Sequence, residues 1–375
     1  MKYFKRENIA VIVNNYIIDS PTAGNISYIY NIGSILGLIL IIQIITGILL
    51  GLYYCSDITM AFDSIEHINR DISYGYAIRY THANGAGLFF IFVYLHIGKA
   101  LYYGSYNRIS LWNIGILIFI IMMITAFIGY VLPFGAMSYW GATVITSMFS
   151  AIPTIGNNIV QLIWGGYSVS KATLSRFYGI HYLLPFLLIA LVIIHLIYLH
   201  SNIGSLSINI DILPFHPYYI FKDILGFNIV LIILIILIGY YPNILGHSSN
   251  YIMADPMVTP LSIVPEFYFL SFYAILRAVP NKLIGVILMF SAILILFILP
   301  AIDYSPIRGN TFRPLYRNIY WLLISNYILL TWLGAEHATQ SYVLLGRYCT
   351  VIYFTYFMLV PTSSKYESIL ITGNY

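Results

Sequence analysis

The chain has 375 residues, of which 60% are hydrophobic and only 8% charged, with a formal net charge of +4. A mean hydropathy of +0.85 excludes an ordinary soluble domain and points to an integral membrane protein. Charge this sparse excludes a nucleic-acid-binding face, and the two isolated cysteines, Cys55 and Cys349, exclude a CxxCH attachment run.

In chain order, Met1–Tyr16 lacks the long apolar core and cleavage pattern of a leader, so no cleaved targeting peptide is expected. Apolar stretches of spanning length then predict eight transmembrane helices: Tyr30–Tyr53, Ala77–Tyr103, Leu111–Leu132, Leu174–His200, Leu225–Tyr241, Leu283–Ala301, Ile319–Leu333 and Tyr342–Val360. The fold class is therefore all-α and polytopic. Residues 1–205 form a four-helix bundle with an interfacial helix at 137–150, and residues 206–375 add four further helices. An even number of spans puts both termini on one side. Ten Lys/Arg fall there (Lys2, Lys5, Arg6, Lys99, Arg108, Lys222, Arg308, Arg313, Arg317 and Lys365) against seven opposite, so the termini face the cytoplasm-equivalent side. Heavy isoleucine usage fits an AT-rich organellar genome.

Four histidines carry the chemistry. His82 and His96 lie fourteen residues apart in the second span, and His181 and His195 repeat the interval in the fourth. At about 1.5 Å per residue, the imidazoles of each helix stand roughly 21 Å apart along the axis. At about 100° per residue they leave nearly the same face. One span intervenes, so the two helices run in the same direction. His82 then faces His181 near one surface, and His96 faces His195 near the other. A lone histidine at membrane depth reads equally well as a hydrogen-bonded packing residue, but two pairs at one interval do not. A neutral imidazole on each side of an iron makes a six-coordinate haem suited to electron transfer, so two non-covalent b-type haems are expected.

Glycines repeat the interval. Gly33 and Gly47 lie in the first span, Gly115 and Gly129 in the third. Helix packing in any bundle uses small residues, but the matching interval favours clearance for a large planar group. Gly47 and Gly129 are expected at the His82/His181 haem, with Gly33 and Gly115 at the His96/His195 haem. Arg79 and Lys99, each three residues from a histidine, are cationic partners for propionates; Lys99 could equally snorkel to the interface. Glu266, in the largely apolar stretch Thr259–Val279, should carry a raised carboxyl pKa and accept a proton near neutrality, with Pro265 restricting the backbone before it. On the termini side, His200 and the Lys222-Asp223 pair could supply hydrogen bonds and a proton route.

The chain resembles cytochrome b of the respiratory ubiquinol–cytochrome c oxidoreductases, the complex III family, from Tyr30 to about Val360. The resemblance is carried by Arg79-Tyr80-Thr81-His82-Ala83-Asn84-Gly85-Ala86, Gly129-Tyr130-Val131-Leu132-Pro133, Trp140-Gly141-Ala142-Thr143-Val144-Ile145-Thr146 and Pro265-Glu266-Phe267-Tyr268. It implies a quinone cycle in the mitochondrial inner membrane, termini on the matrix side. Ubiquinol is oxidised at an outer pocket, one electron leaving to a Rieske iron–sulfur protein and the other crossing by the two haems. Ubiquinone is reduced at an inner pocket. The implied partners are that protein, a c-type cytochrome subunit, further complex III subunits, membrane lipids and a second copy of the complex.

The resemblance further implies that Phe127, Tyr130, Met137, Gly141, Ile145, Pro265, Glu266 and Tyr273 line the outer quinol site, with Glu266 helping to deprotonate quinol. Asn31, Ser34, His200, Phe215, Lys222 and Asp223 would form the inner site. Gly141 would keep room for the ring, so Gly141→Ala should hinder bulky pocket inhibitors. Four positions depart from the family pattern: Phe267 and Phe134 stand where Trp is usual, Ala136 where Gln is usual and Lys99 where Arg is usual. The loop Ser201–Asp211 is shorter than usual, so no inner-site residue is assigned from it.

Three rivals are weighed. The chloroplast-type relative splits the chain and usually has one more residue between its second histidine pair. A transmembrane ferric reductase or superoxide-generating oxidase needs a dinucleotide domain, for which there is neither room nor a glycine-rich motif. A structural or proton-conducting subunit would use the histidines as interhelical hydrogen bonds and show no haem spectrum.

Overall fold

The computed structural model describes Val11 and residues 14–201, 211–307 and 309–373. Lys2, Lys5, Arg6, Arg308, the start of the Met1–Tyr16 segment and most of the 201–211 loop lie outside the described residues. The chain is a bundle of long helices: α1 (Ile32–Gly51), α2 (Ala61–Arg70), α3 (Gly75–Tyr102), α4 (Ile109–Val131), α5 (Ala136–Ser147), α6 (Gly156–Trp164) and α7 (Lys171–Ser201), followed by α8 (Tyr218–Tyr240), α9 (Leu270–Arg277), α10 (Lys282–Leu294), the single turn α11 (Leu299–Ile302), α12 (Pro314–Ala335) and α13 (Gln340–Thr372). A short antiparallel ribbon, β1 (Pro21–Ala23) with β2 (Ile212–Pro214), ties the amino-terminal approach to the start of α8.

Seven of these helices are long and apolar enough to cross a membrane; α10 and α11 together make one of them. The remaining expected span is α12. Its 22 residues reach about 33 Å, but Arg317, Asn318 and Asn326 with several tyrosines dilute its hydropathy. Three of its polar positions are buried against protein, Tyr316, Tyr320 and Asn326, the last donating to the Cys349 carbonyl at 2.9 Å, while Arg317 and Asn318, near its start, are exposed. Two boundaries move. The fifth span begins at Tyr218 rather than Leu225, and the eighth runs to Thr372, through Pro361, rather than ending at Val360.

Helix α1 packs along α3, and α4 along α7, while α8 leans on α1 and α3 and α12 on α9 and α13. One apolar core runs through both halves of the chain, from Phe90, Trp112 and Phe119 to Tyr268, Leu330 and Tyr356. The Tyr94 hydroxyl stitches the halves by donating to the Tyr268 carbonyl. The outer faces of α7 and α8 expose mostly Leu and Ile, as lipid-facing helices do. Where the interfacial helix is expected, residues 137–150, the chain forms α5 followed by a 3-10 turn, Met148–Ala151.

Candidate functional site

The histidine face predicted for α3 meets the one on α7. The rings of His82 and His181 have centroids 6.2 Å apart at an interplanar angle of 81°, and those of His96 and His195 are 6.4 Å apart at 58°. With metal–imidazole bonds of about 2 Å and a ring centroid about 1.1 Å behind its nitrogen, two imidazoles sharing one metal have centroids roughly 6.2 Å apart. Both pairs are spaced accordingly. His82 Nδ1 lies 2.9 Å from Thr46 Oγ1, and His181 Nδ1 lies 2.8 Å from the Thr125 carbonyl oxygen. Thr46 donates its own proton to the Ile42 carbonyl at 2.7 Å, so its oxygen accepts from His82 and the opposite ring nitrogen is left for a ligand. Among the described residues no three His, Cys, Asp or Glu side chains converge as a metal cage. Each pair, two facing imidazoles with no further donor, would hold a metal that brings its remaining ligands with it.

A glycine stands against each of the four rings. A Cβ on Gly47 would lie 3.1 Å from His82 Cε1, and one on Gly129 would lie 2.4 Å from His181 Cε1. At the second pair, a Cβ on Gly115 would lie 3.3 Å from His195 Cε1 and one on Gly33 3.5 Å from His96 Cε1. Each glycine thus admits an imidazole edge against the helix backbone. The assignment of glycines to pairs follows the expected directions of the helices.

A cavity of about 260 Å³ opens around the first pair and is lined by His82, His181, Gly47, Gly129, Arg79, Tyr130 and Glu266. The buried amide nitrogen of Gln43, on the same lining, has no hydrogen-bond partner. Glu266 precedes a 3-10 turn, Phe267–Phe269, that leads into α9. Burial pushes its carboxyl up to about 7, while a hydrogen bond from Tyr130 and the Arg79 guanidinium hold it from rising further. The cavity therefore joins a proton acceptor poised near neutrality to the histidine pair.

Of the other residues expected at the outer site, Phe127, Met137, Gly141, Ile145, Pro265 and Tyr273 are not on this lining. Phe127 meets Phe177 edge-on, Met137 is fully buried, and the Tyr273 hydroxyl donates to the Ile263 carbonyl at 3.2 Å. A Cβ on Gly141 would meet nothing within 4 Å. Two contributors escaped sequence reasoning: Thr46, one residue before Gly47, and Asn250, whose side chain reaches α5 from the loop after α8. A hydroxyl in a spanning helix could have marked Thr46; a loop asparagine gives no such signal.

On the termini side, Asp223 Oδ1 accepts from Asn31 Nδ2 at 2.5 Å and from Ser34 Oγ at 2.6 Å. Lys222 instead donates to the Ile26 carbonyl at 2.5 Å and sits over the Tyr28 ring. Phe215 stacks on Tyr219, and His200 lies half-buried at the end of α7. Lys99 Nζ is held 3.7 Å above the Tyr30 ring, a cation–π contact.

The family model described as cytochrome b/b6/petB matches residues 17–203, and that described as cytochrome b(C-terminal)/b6/petD matches residues 253–354. A cytochrome b from Schizophyllum commune is 52% identical over 98% of both chains. The chain belongs to the cytochrome b family. A cytochrome b from Saccharomyces cerevisiae is 51% identical over 98% of this chain and 97% of its own. A solved structure titled "Hyperthermophilic respiratory Complex III" superposes with a TM-score of 0.92 over 98% of this chain and 99% of its own, at 30% identity. As a cytochrome b of complex III, the chain is the catalytic subunit of a ubiquinol–cytochrome c reductase, a multi-pass membrane protein that oxidises quinol and reduces quinone.

Proposed function

We propose that His82 with His181 and His96 with His195 hold two b-type haems, that quinol is oxidised beside Glu266 and that quinone is reduced beside Asp223. The observation that carries this is the pair of ring separations, 6.2 and 6.4 Å, each fitting two imidazoles on one metal. When bound, haem supplies reversible one-electron transfer inside the membrane.

The chain's own side chains do the rest. Thr46 and the Thr125 carbonyl fix the His82 and His181 rings, and the four glycines let the imidazoles lie against backbone. Arg79 and Lys99 supply positive charge for propionates. In the outer pocket, Glu266 accepts a proton from the quinol hydroxyl, with Tyr130 holding the carboxylate and Arg79 favouring its ionised form. Phe127, Met137, Gly141, Ile145, Pro265 and Tyr273 shape the apolar remainder of that site. In the inner pocket, Asp223 is held by Asn31 and Ser34, and with His200 it delivers protons to the reduced ring; Lys222 and Phe215 complete the wall. Release on one side and uptake on the other translocate protons. The setting is a mitochondrial inner membrane with matrix-facing termini, and the partners are a Rieske iron–sulfur protein, a c-type cytochrome subunit and a second copy of the complex.

A redox-titrated difference spectrum of the isolated complex tests this, recorded before and after an outer-site or inner-site quinone inhibitor. Two low-spin b-type components of different potential, each shifted by its own inhibitor, are expected. A single component would remove the paired-ligand assignment.

A further inference from the structure

Helix α5, the roof of the outer pocket in the function proposed above, has an amino terminus capped by nothing of its own. Gly135 occupies the cap position in extended conformation and has no side chain to satisfy the first-turn amides. The missing acceptor arrives from more than a hundred residues away. Asn250 Oδ1 accepts from the Ser138 backbone amide at 2.9 Å, and it lies 3.0 Å from Ser138 Oγ. Ser138 Oγ also donates to the Tyr130 carbonyl oxygen at 2.6 Å, the shorter of its two contacts. The serine proton therefore goes to Tyr130, and the asparagine oxygen, not its nitrogen, faces the Ser138 amide. Ser138 is completely buried, so no water replaces that acceptor.

The backbone around this contact is zipped. Ala136 donates to the Ile252 carbonyl at 2.8 Å and Ala254 to the Phe134 carbonyl at 3.3 Å. A Cβ on Gly135 would stand 2.2 Å from the Asn250 carbonyl oxygen, so only glycine permits this approach. Asn250 also lines the cavity shared by Tyr130 and Glu266.

Resting on the proposed outer quinol site, we infer that Asn250 is a positioning residue for quinol oxidation: its side-chain oxygen pins the start of α5 and, through Ser138, the end of α4 that carries Tyr130. It touches no reacting atom in this role. Without its oxygen a buried amide is left unsatisfied, and the roof and Tyr130 lose their common anchor.

The test compares Asn250→Ala, which removes the acceptor, with Asn250→Asp, which keeps one, in the intact complex. Steady-state quinol oxidation is measured alongside reduction of the b-type components by quinol through the inner site with the outer site inhibited. The alanine variant should raise the KM for quinol about tenfold with a smaller change in kcat, weaken outer-site inhibitors in parallel and leave inner-site reduction unchanged. The aspartate variant should stay within about threefold of the parent KM. Equal KM in parent and alanine variant, equal damage in both variants, or loss of inner-site reduction together with outer-site turnover would each overturn the assignment. A parent complex without quinol-reducible b-type components would instead overturn the reading of the site itself.

Discussion

Gly129 faces His181 so closely that a Cβ on the glycine would stand 2.4 Å from ring Cε1 and 2.9 Å from Nδ1. No side chain fits there unless the ring or helix α4 shifts. Moving the ring would also break its 2.8 Å hydrogen bond to Thr125 in the same helix. Gly33, by contrast, would place its Cβ 3.5 Å from His96, an ordinary contact. The two glycines belong to the same fourteen-residue repeat but differ in tolerance.

A graded alanine series follows from those clearances. Gly129→Ala should abolish or strongly deplete the b-type component of the His82/His181 pair, whereas Gly33→Ala should retain both components. Gly47→Ala and Gly115→Ala, at 3.1 and 3.3 Å, should fall between, with small shifts in midpoint potential. Optical redox titration of the four variants checks the order; equal effects across the series would mean that the glycines serve helix packing alone.

Thr46 offers a second handle on the same pair. Its oxygen accepts from His82 Nδ1 and so keeps that imidazole oriented and basic. Thr46→Val preserves shape but removes the hydroxyl acceptor from His82, leaving its buried donor only the Gln43 carbonyl. Retention of the His82/His181 component should weaken by roughly 10- to 100-fold, and its potential should rise as the ligand becomes less electron-rich. The His96/His195 component, near the other surface, should be untouched, and spectra after graded detergent exposure would show the difference.

The histidine geometry was legible because a helix converts sequence interval directly into position. Fourteen residues set both the separation along the axis and the shared face, and the intervening span set the direction of travel. The pockets were less legible. Asn31, Ser34 and Asp223 do converge, but the Lys222-Asp223 charges hid the true start of α8, since no window over α8 reveals the partners on the segment before α1 and in its first turn. Hydropathy placed α12 as a span from its apolar positions, and the burial of Tyr316, Tyr320 and Asn326 is visible only once α3, α9 and α13 are in place. Asn250 was invisible for the same reason: its acceptor serves a helix in the other half of the chain.

Glu266 predicts a pH dependence. A carboxyl raised to about 7 must be ionised to accept a proton, so quinol oxidation should climb as pH rises through about 7 and fall away on the acid side. Tyr130 and Arg79 both hold that pKa down. Tyr130→Phe and Arg79→Gln should therefore move the acid limb to higher pH, and Glu266→Gln should flatten it while cutting turnover by at least tenfold. Steady-state profiles at saturating quinol decide this. An acid limb that stays in place in Tyr130→Phe and Arg79→Gln would show that another group titrates.

Far from the pockets, Arg313 ties the termini-side ends of the carboxy-terminal helices together. It donates to Asp303 Oδ2 at 2.9 Å and Oδ1 at 3.0 Å, and its Nε donates to Glu367 Oε2 at 3.0 Å; all three side chains are buried. Glu367 Oε1 also accepts from the Leu315 and Tyr316 amides, capping α12. Burial tends to raise the Asp303 carboxyl, but hydrogen bonds from Arg313, Ser364 and Tyr106 outweigh it and hold the pKa below its usual value. A depressed carboxylate adds stability above its unfolded pKa of about 3.8 and loses it only as pH falls through the lower folded value. This clasp should therefore survive the whole pH range in which Glu266 titrates. Removing Arg313 leaves two carboxylates buried without their cation, which costs about 3–5 kcal/mol. Arg313→Ala should lower the thermal midpoint of the complex by several degrees, with outer-site inhibitor binding unchanged in whatever fraction assembles. Glu367→Gln keeps an acceptor for the α12 amides and should lose less. Thermal denaturation followed by near-ultraviolet circular dichroism separates the two variants, and equal midpoints for Arg313→Ala and the parent would mean that the buried charges contribute nothing net.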